Sequence, residues 1–392
     1  MANVSSSNSQ KALVPKLRFP GFEGEWYLSP LSTYLAENTD RNKSLQYSKN
    51  DVLSVSGEYG IVNQIALQGR SFAGVSVADY HVVETNDVVY TKSPLKANPY
   101  GIIKHNSGVP GIVSTLYAVY HPKSCAISQF IDYYFQNDLR LNKYLKPLVN
   151  IGAKHDMKIN NEVALTGDVI FPSVDEQAKI VDFLKLIDEK IAKQKQLVEA
   201  LKSYKRGVTK AIFNPNSVYQ NCAESWRLRK VSELLSYEQP QKYIVQTEHY
   251  SSNYATPVLT ANKGFILGYT NETTGVYDKG DVVIYDDFTM DMKYVDFPFK
   301  VKSSTIKFLT AKPGNNLYFL FCLLQSLSLT PEGHQRSYIS KVEQMNVFVP
   351  SVDEQSRIAG ILKKVTVILE RHEFALHKLE MLKAGLLNQL FI

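Results

Sequence analysis

Pro172-Ser173-Val174-Asp175-Glu176-Gln177 returns as Pro350-Ser351-Val352-Asp353-Glu354-Gln355, and each copy opens a stretch with helical spacing. The copies stand 178 residues apart, too far for a solenoid repeat and enough for one domain plus one long helix. Each copy reads as a capping box: Ser173 and Ser351 precede Glu176 and Glu354 by three, so hydroxyl and carboxylate each satisfy an orphan amide at a helix start. Asp175 and Asp353 suit the positive end of the helix dipole. Downstream, Ile180, Leu184, Ile187, Ile191, Gln194, Val198, Leu201, Lys205, Val208 and Ile212 alternate steps of four and three. The second copy matches with Ile358, Leu362, Val365, Leu369, His372, Leu376, Leu379, Lys383, Leu386 and Leu390. That is a heptad seam with polar interruptions at the same two places.

A helix with one apolar stripe needs a partner, and the nearest is the other copy. Parallel and antiparallel pairs both satisfy the seam; an antiparallel pair puts the domain before each helix at opposite ends. Gly207 and Gly385 fall late in each helix, where glycine costs about 1 kcal/mol relative to alanine. Close helix approach or early fraying would each account for them. The bland alternative for the whole feature is a dimerising coiled coil without further role.

Composition bounds the class. The chain has 392 residues, enough for two or more cores, and a net charge of +6 that permits an anionic partner without requiring one. Cys125, Cys222 and Cys322 are scattered, with no CxxC spacing, which supports neither a disulfide framework nor a zinc knuckle. The first fifteen residues are Ser/Asn-rich without an apolar core, so no signal peptide is expected, and the apolar run from Leu317 to Leu324 is too short to span a bilayer. A cytoplasmic protein with no membrane association is expected.

The repeat extends upstream. Trp26-Tyr27-Leu28 aligns with Trp226-Arg227-Leu228, Asp87-Val88-Val89-Tyr90 with Asp281-Val282-Val283-Ile284-Tyr285, and Ser114-Thr115-Leu116 with Ser304-Thr305-Ile306. An aromatic, helix-like run follows each, from Phe130 to Tyr144 and from Leu317 to Leu327. The expected organisation is a disordered tail over 1–16, globular segments over 17–171 and 226–349, long helices over 172–213 and 350–392, and a linker over 214–225. The fold class is α+β. Between landmarks the two segments differ, as expected if a shared frame carries different recognition loops, or if loops drifted after duplication.

The unshared loops carry side chains suited to nucleic acid. In the first segment these are Lys92, Lys96, Asn98 and Tyr100 on a Pro-rich loop, with Arg70 and Lys154 beside them; in the second, Asn262, Lys263, Lys293, Arg336, Tyr338 and Lys341. Lys and Arg donate to phosphates, and Asn pairs with an adenine edge. Each taken singly is also an ordinary solvated loop residue. Catalytic signatures are missing: no GxxxxGK[ST] loop occurs, nor a glycine-rich strand-to-helix turn for a nucleotide-like cofactor. Asp287, Asp291 and Lys293 follow a strand in the manner of a metal-dependent nuclease centre, though a charged loop is the simpler reading. No catalytic residue and no metal ligand set is assigned.

Leu17-Arg18-Phe19-Pro20-Gly21-Phe22 with Trp26, two divergent segments and two Pro-Ser-Val-Asp-Glu-Gln helices resemble the specificity subunit of type I restriction-modification enzymes. The resemblance covers nearly the whole chain. It implies two target-recognition domains in pseudo-two-fold arrangement, joined by the long helices as an antiparallel coiled coil that acts as a ruler. The seam residues Ile180, Leu184, Ile187, Ile191, Leu201, Ile358, Leu362, Val365, Leu369 and Leu379 would then carry helix pairing and subunit docking. It further implies binding of double-stranded DNA at a split, asymmetric site, and docking of two modification subunits and of restriction subunits. S-adenosylmethionine, ATP and Mg²⁺ would belong to those partners, with no cofactor and no catalysis in this chain. Two other readings remain open: a coiled-coil scaffold with protein-binding end domains, and a nuclease through Asp287, Asp291 and Lys293.

Overall fold

The structure, a computed structural model, describes residues 12–151, 157–214, 226–262, 264–327, 329–331 and 336–392. The chain divides into two compact units, residues 1–193 with 376–392, and residues 194–375. The expected division set the long helices apart from the globular segments. Instead each unit takes in half of one helix and part of the other, because the apolar stripes are buried against the segments as well as against each other.

In the first unit an antiparallel sheet runs Leu35–Glu37, Tyr117–Pro122, Val88–Thr91, Ile103–His105. Val88–Thr91 is buried along its whole length, which is why it reads as an apolar run instead of an alternating one. A separate ladder pairs Tyr27–Pro30 with Asp168–Phe171, so the segment begins and ends side by side. The helix Ser128–Phe135 packs its aromatic side chains into the core, and the helix Asp138–Leu145 follows, capped by the Asn137 side chain, which accepts from the N–H of Arg140 at 2.9 Å. Phe130 is the hub of this core: its ring lies 6.3 Å from Trp26, 5.0 Å from Phe171 and 5.2 Å from Phe391.

The second unit repeats the plan. Its sheet runs Leu235–Glu238, Ile306–Ala311, Val282–Asp286, Met292–Val295, again all antiparallel, and its closing ladder pairs Arg227–Lys230 with Asn346–Val349. Phe319 on the helix Leu317–Ser326 holds the place of Phe130, with Trp226 at 6.1 Å and Phe213 at 5.4 Å. The differences lie outside this frame. The first unit adds the hairpin Leu53–Ser56 with Gly60–Asn63, while the second adds a sheet of Ile266–Thr270, Thr256–Leu259 and Lys300–Val301.

The long helices run Val174–Phe213 and Val352–Gln389. In the first unit Lys383 Nζ meets the Asp188 carboxylate at 2.6 Å, and Ile180 and Leu184 share a core with Leu386 and Leu390. In the second, Gln194 Nε2 donates to the His372 carbonyl at 2.8 Å, and Ile212 and Phe213 share a core with Ile358 and Leu362. Residue numbers rise on one helix as they fall on the other, so the pairing inside each unit is antiparallel. Gln194 and His372, the matched polar interruptions of the seam, bond to one another.

Two local expectations change. Glu176 does not close a capping box; it is buried at 2% exposure and bonded by Arg18 through Nε and Nη2, both at 2.8 Å. In the second copy the Ser351 hydroxyl does accept from the Glu354 N–H, at 3.5 Å, while the Glu354 carboxylate holds Arg357 on its own helix. Gly207 and Gly385 are not sites of close helix approach, since a Cβ at either would meet nothing within 4 Å.

Candidate nucleic-acid interface

The glutamine of the repeated hexapeptide fixes how each globular segment sits on its helix. Gln177 is fully buried; its Oε1 accepts the Ile127 N–H at 3.0 Å, and its Nε2 donates to the carbonyls of Cys125 and Pro172, each at 3.1 Å. Gln355 repeats this with the Asn316 N–H at 2.9 Å and the Pro350 carbonyl at 3.0 Å. Each glutamine thus satisfies a backbone amide at the start of an aromatic helix and a carbonyl where the long helix begins, groups that would cost roughly 1–3 kcal/mol each if buried unpaired. The divergent loops are thereby carried on a rigid frame.

In the first unit the loop after Val88–Thr91 is structured, not splayed. Leu95 and Asn98 exchange backbone hydrogen bonds at 3.0 and 3.1 Å. Gly101, at φ +90°, brings the backbone so near Thr91 that a Cβ would lie 1.9 Å from its carbonyl oxygen. Lys96 is exposed on this loop. Lys92 is half-buried with its Nζ donating to Asn161 Oδ1, and burial lowers its pKa, partly offset by Glu37. Tyr100 packs partly against the core, and its carbonyl accepts from the Tyr90 hydroxyl at 2.7 Å. Asn98 is a correction: it is buried and its Nδ2 donates to Asp138 at 2.9 Å, so it braces the loop against the helix Asp138–Leu145 and is not offered to a base. Arg70 stands apart from this loop, exposed, with its guanidinium 4.6 Å from the ring centre of Phe72. Phe72 is itself 56% exposed, and sequence reasoning missed it. Lys154 lies outside the described residues.

In the second unit several candidates converge on the turn at 286–291. Asn262 is exposed and its Oδ1 accepts from the Thr289 hydroxyl at 3.2 Å. Across the turn, the Asp287 carbonyl accepts from the Ser337 N–H at 3.0 Å and hydroxyl at 2.7 Å, which seats the segment bearing Arg336 and Lys341. Arg336 is exposed; Lys341 is half-buried, with Nζ 3.5 Å from the Thr330 carbonyl. Lys293 faces a hollow of about 370 Å³ with Asp291, Gln325 and Leu329. Tyr338 is the second correction: at 0% exposure, edge-on to Tyr237 and Tyr285 at 5.5 Å each, it is a core residue. Lys263 lies outside the described residues.

The nuclease reading loses its geometry. The Asp287 carboxylate is buried at 1% exposure, 3.3 Å from Lys307 Nζ, and accepts from the Tyr338 N–H at 3.0 Å, so it is committed to holding the turn. Among the described residues no group of three or more His, Cys, Asp or Glu side chains is placed to hold a metal ion. No helix among them is long and apolar enough to cross a membrane.

The seam residues named from the sequence lie on the paired helices with graded burial. Ile180, Leu184, Ile191, Ile358, Leu362 and Leu369 are buried, while Ile187, Leu201, Val365 and Leu379 are half-buried.

Sheet order, closing ladder and helix clamp, each occurring twice with different loops, define a duplicated α+β unit carried on paired helices. Residues 223–380 match the family model for the type I restriction modification DNA specificity domain. The chain is 42% identical over 147 residues to a type I restriction enzyme specificity subunit of Escherichia coli, covering 36% of each chain. It is 24% identical over 236 residues to a putative type I specificity subunit of Mycoplasma pneumoniae, 58% of this chain and 63% of that one. The chain thus spans about a third of the first relative and under two thirds of the second. In fold it resembles the crystal structure of a type I restriction-modification S subunit from M. genitalium, with a TM-score of 0.66 at 13% identity over 96% of this chain and 99% of that one. The family likeness in sequence is thus carried by residues 223–380, and the likeness of the whole chain to the solved S subunit is one of fold.

Proposed function

We propose that this chain is the DNA-reading subunit of a type I restriction-modification complex. Each unit reads one half of a split, asymmetric site, and the helix pair holds the readers at a fixed separation, so that the spacer has fixed length and free sequence. The observation that carries this reading is the repetition of one sheet order on two Gln-clamped helices with different loops in each copy. A shared frame with unlike loops fits two different half-sites. Lys and Arg contacts to phosphates would hold register while loop side chains specify bases.

The seam would also dock two modification subunits, which supply S-adenosylmethionine and flip the target adenine out of the stack. Restriction subunits would supply ATP and Mg²⁺ chemistry, and the assembly would work in the cytoplasm. This chain itself would be neither a methyltransferase nor a nuclease. Sequencing the methylated adenines of a host carrying the gene with its modification partner tests the reading. A bipartite motif with adenines on opposite strands is expected; a continuous motif, or methyl transfer by the isolated chain, would overturn it.

A further inference from the structure

One connection differs sharply between the two units. From the hairpin strand Gly60–Asn63 to the strand His81–Val83 the first unit uses residues 64–80, a short helix Gln64–Gln68 and a loop. In the second unit the chain from Ile266–Thr270 to Tyr277, which pairs with Phe299, is residues 271–276. The longer connection lies against the loop at 42–47. Asn42, buried at its root, donates through Nδ2 to the carbonyls of Tyr47 at 2.8 Å and Val77 at 3.3 Å. Tyr47 and Ala73 then pack on one small core of Val52, Val77 and Ile112.

Large apolar side chains stand out from both loops. Leu45 is 61% exposed and Val75 98%, beside the half-exposed ring of Phe72. Leu45 also sits at φ +54°, a backbone that L side chains rarely adopt, at an exposure that leaves little packing to offset the strain. Phe72 is held in place from below. Its N–H donates to Gln64 Oε1 at 2.7 Å, and Gln64 Nε2 donates to the Ser54 hydroxyl at 3.3 Å. Gly69, at φ +77°, ends the short helix with its N–H on the Ile65 carbonyl at 2.8 Å, which turns Arg70 back over the Phe72 ring. The ring thus carries a guanidinium on one face and meets water elsewhere. The acids of the two loops are engaged by neighbours, Asp51 by the Ser48 N–H and hydroxyl at 2.8 Å and Asp79 by Lys43, while Lys49 and Arg70 are exposed. A flat apolar ring beside cations complements a nucleobase beside its phosphate.

We propose, resting on the DNA-reading function above, that Phe72 wedges between the bases of one half-site while Arg70 contacts the adjoining phosphate. Apolar side chains that enter the stack partly separate two bases and kink the duplex there. A phenyl ring has no hydrogen-bond donor or acceptor, so it selects a base step by how readily that step opens. Pyrimidine–purine steps open most readily. The half-site read by the first unit therefore contains a pyrimidine–purine step that tolerates exchange among TA, CA and TG and resists other replacements. The short connection at 271–276 gives the second unit no matching loop, so this readout belongs to one half-site only.

The test uses the full chain co-purified with its modification partner and duplexes carrying the methylated motif of the host. Fluorescence anisotropy gives the affinity. Phe72→Ala should weaken binding of the motif by about tenfold or more and leave a random-sequence duplex unaffected, while Phe72→Tyr keeps most of the affinity. Arg70→Ala should weaken motif and random duplex alike and lower the salt slope by about one. In a second measurement 2-aminopurine, which brightens when unstacked, replaces the purines of each half-site in turn. Brightening is expected at one pyrimidine–purine step and at the methylated adenine, and Phe72→Ala should abolish the first signal alone. Thermal melting checks that each variant is folded. A wild-type complex that prefers no motif would remove the DNA-reading function and this proposal together. A wild type that reads its motif, with folded Phe72→Ala reading it equally well, would overturn the wedge alone. So would loss of the co-purifying partner in Phe72→Ala, which would assign the ring to a protein contact.

Discussion

Gln177 Oε1 accepts the backbone N–H of Ile127 at 3.0 Å, joining the first turn of a 40-residue helix to the start of the aromatic helix fifty residues before it. Its counterpart Gln355 does the same for Asn316. Gln177→Ala should therefore destabilise the first unit by about 2–4 kcal/mol through three lost buried hydrogen bonds. Gln355→Ala, which loses two in the second unit, should cost less. Urea unfolding of the two variants checks the order; equal and negligible losses would remove the clamp from the account.

Arg18 and Glu176 form the other clamp of the first unit. Arg18→Ala strands a carboxylate that is 2% exposed, and about 3–5 kcal/mol of destabilisation is expected. Arg18→Lys should restore only part of it, because an ammonium does not reproduce the two-point contact. Adding Glu176→Gln to Arg18→Ala should recover stability relative to Arg18→Ala alone. A double variant no more stable than the single one would argue against charge burial as the cause.

His81 sets an acid limit. It is 1% exposed with Nδ1 unpartnered, and burial first, then the charges of Arg41 and Lys92, hold its pKa down to about 4. An unfolded histidine titrates near 6.5. The folded value is the lower one, so the unfolded chain takes up the proton first as pH falls. The contribution is constant above about pH 6.5 and is lost progressively between about 6.5 and 4, by at most ~3 kcal/mol. Denaturant midpoints at pH 7 and pH 5 should fall less in His81→Gln than in the wild type. Parallel slopes in both would remove His81 from the acid response.

The ruler gives a prediction in base pairs. Four residues inserted beside Gln194 lengthen one helix by about 6 Å, equivalent to one or two base pairs at about 3.4 Å each. Both half-site sequences should survive while the spacer between methylated adenines grows, provided the facing helix accommodates the insertion. Methylome sequencing reads the outcome. A changed half-site at constant spacing would show that the helices are not the ruler.

The frame of this molecule was legible in its sequence because its signals are periodic or repeated. The heptad run, the matched strands at Val88 and Val282 and the two tryptophans reappear as paired helices, central strands and aromatic hubs. Side-chain partners were not legible, since they depend on residues far apart in the chain. Glu176 had the spacing of a capping box, and Arg18 outcompetes the amide for it with two charged hydrogen bonds. Asn98 and Tyr338 looked like loop residues by neighbourhood, and burial made one a brace and the other core. Phe72 had no pattern to announce it. Gln177 and Gln355 were visible as repeated letters, yet only the structure shows what they hold.

The first unit is assembled from both ends of the described chain, with Leu386, Leu390 and Phe391 in the same core as Trp26 and Phe130, whereas the second unit is one continuous stretch. During synthesis the second unit therefore has all its parts while the first still waits for Phe391 to leave the ribosome. A stop codon a dozen positions before that residue should spare the unit nearest the break in sequence and cripple the one made earliest.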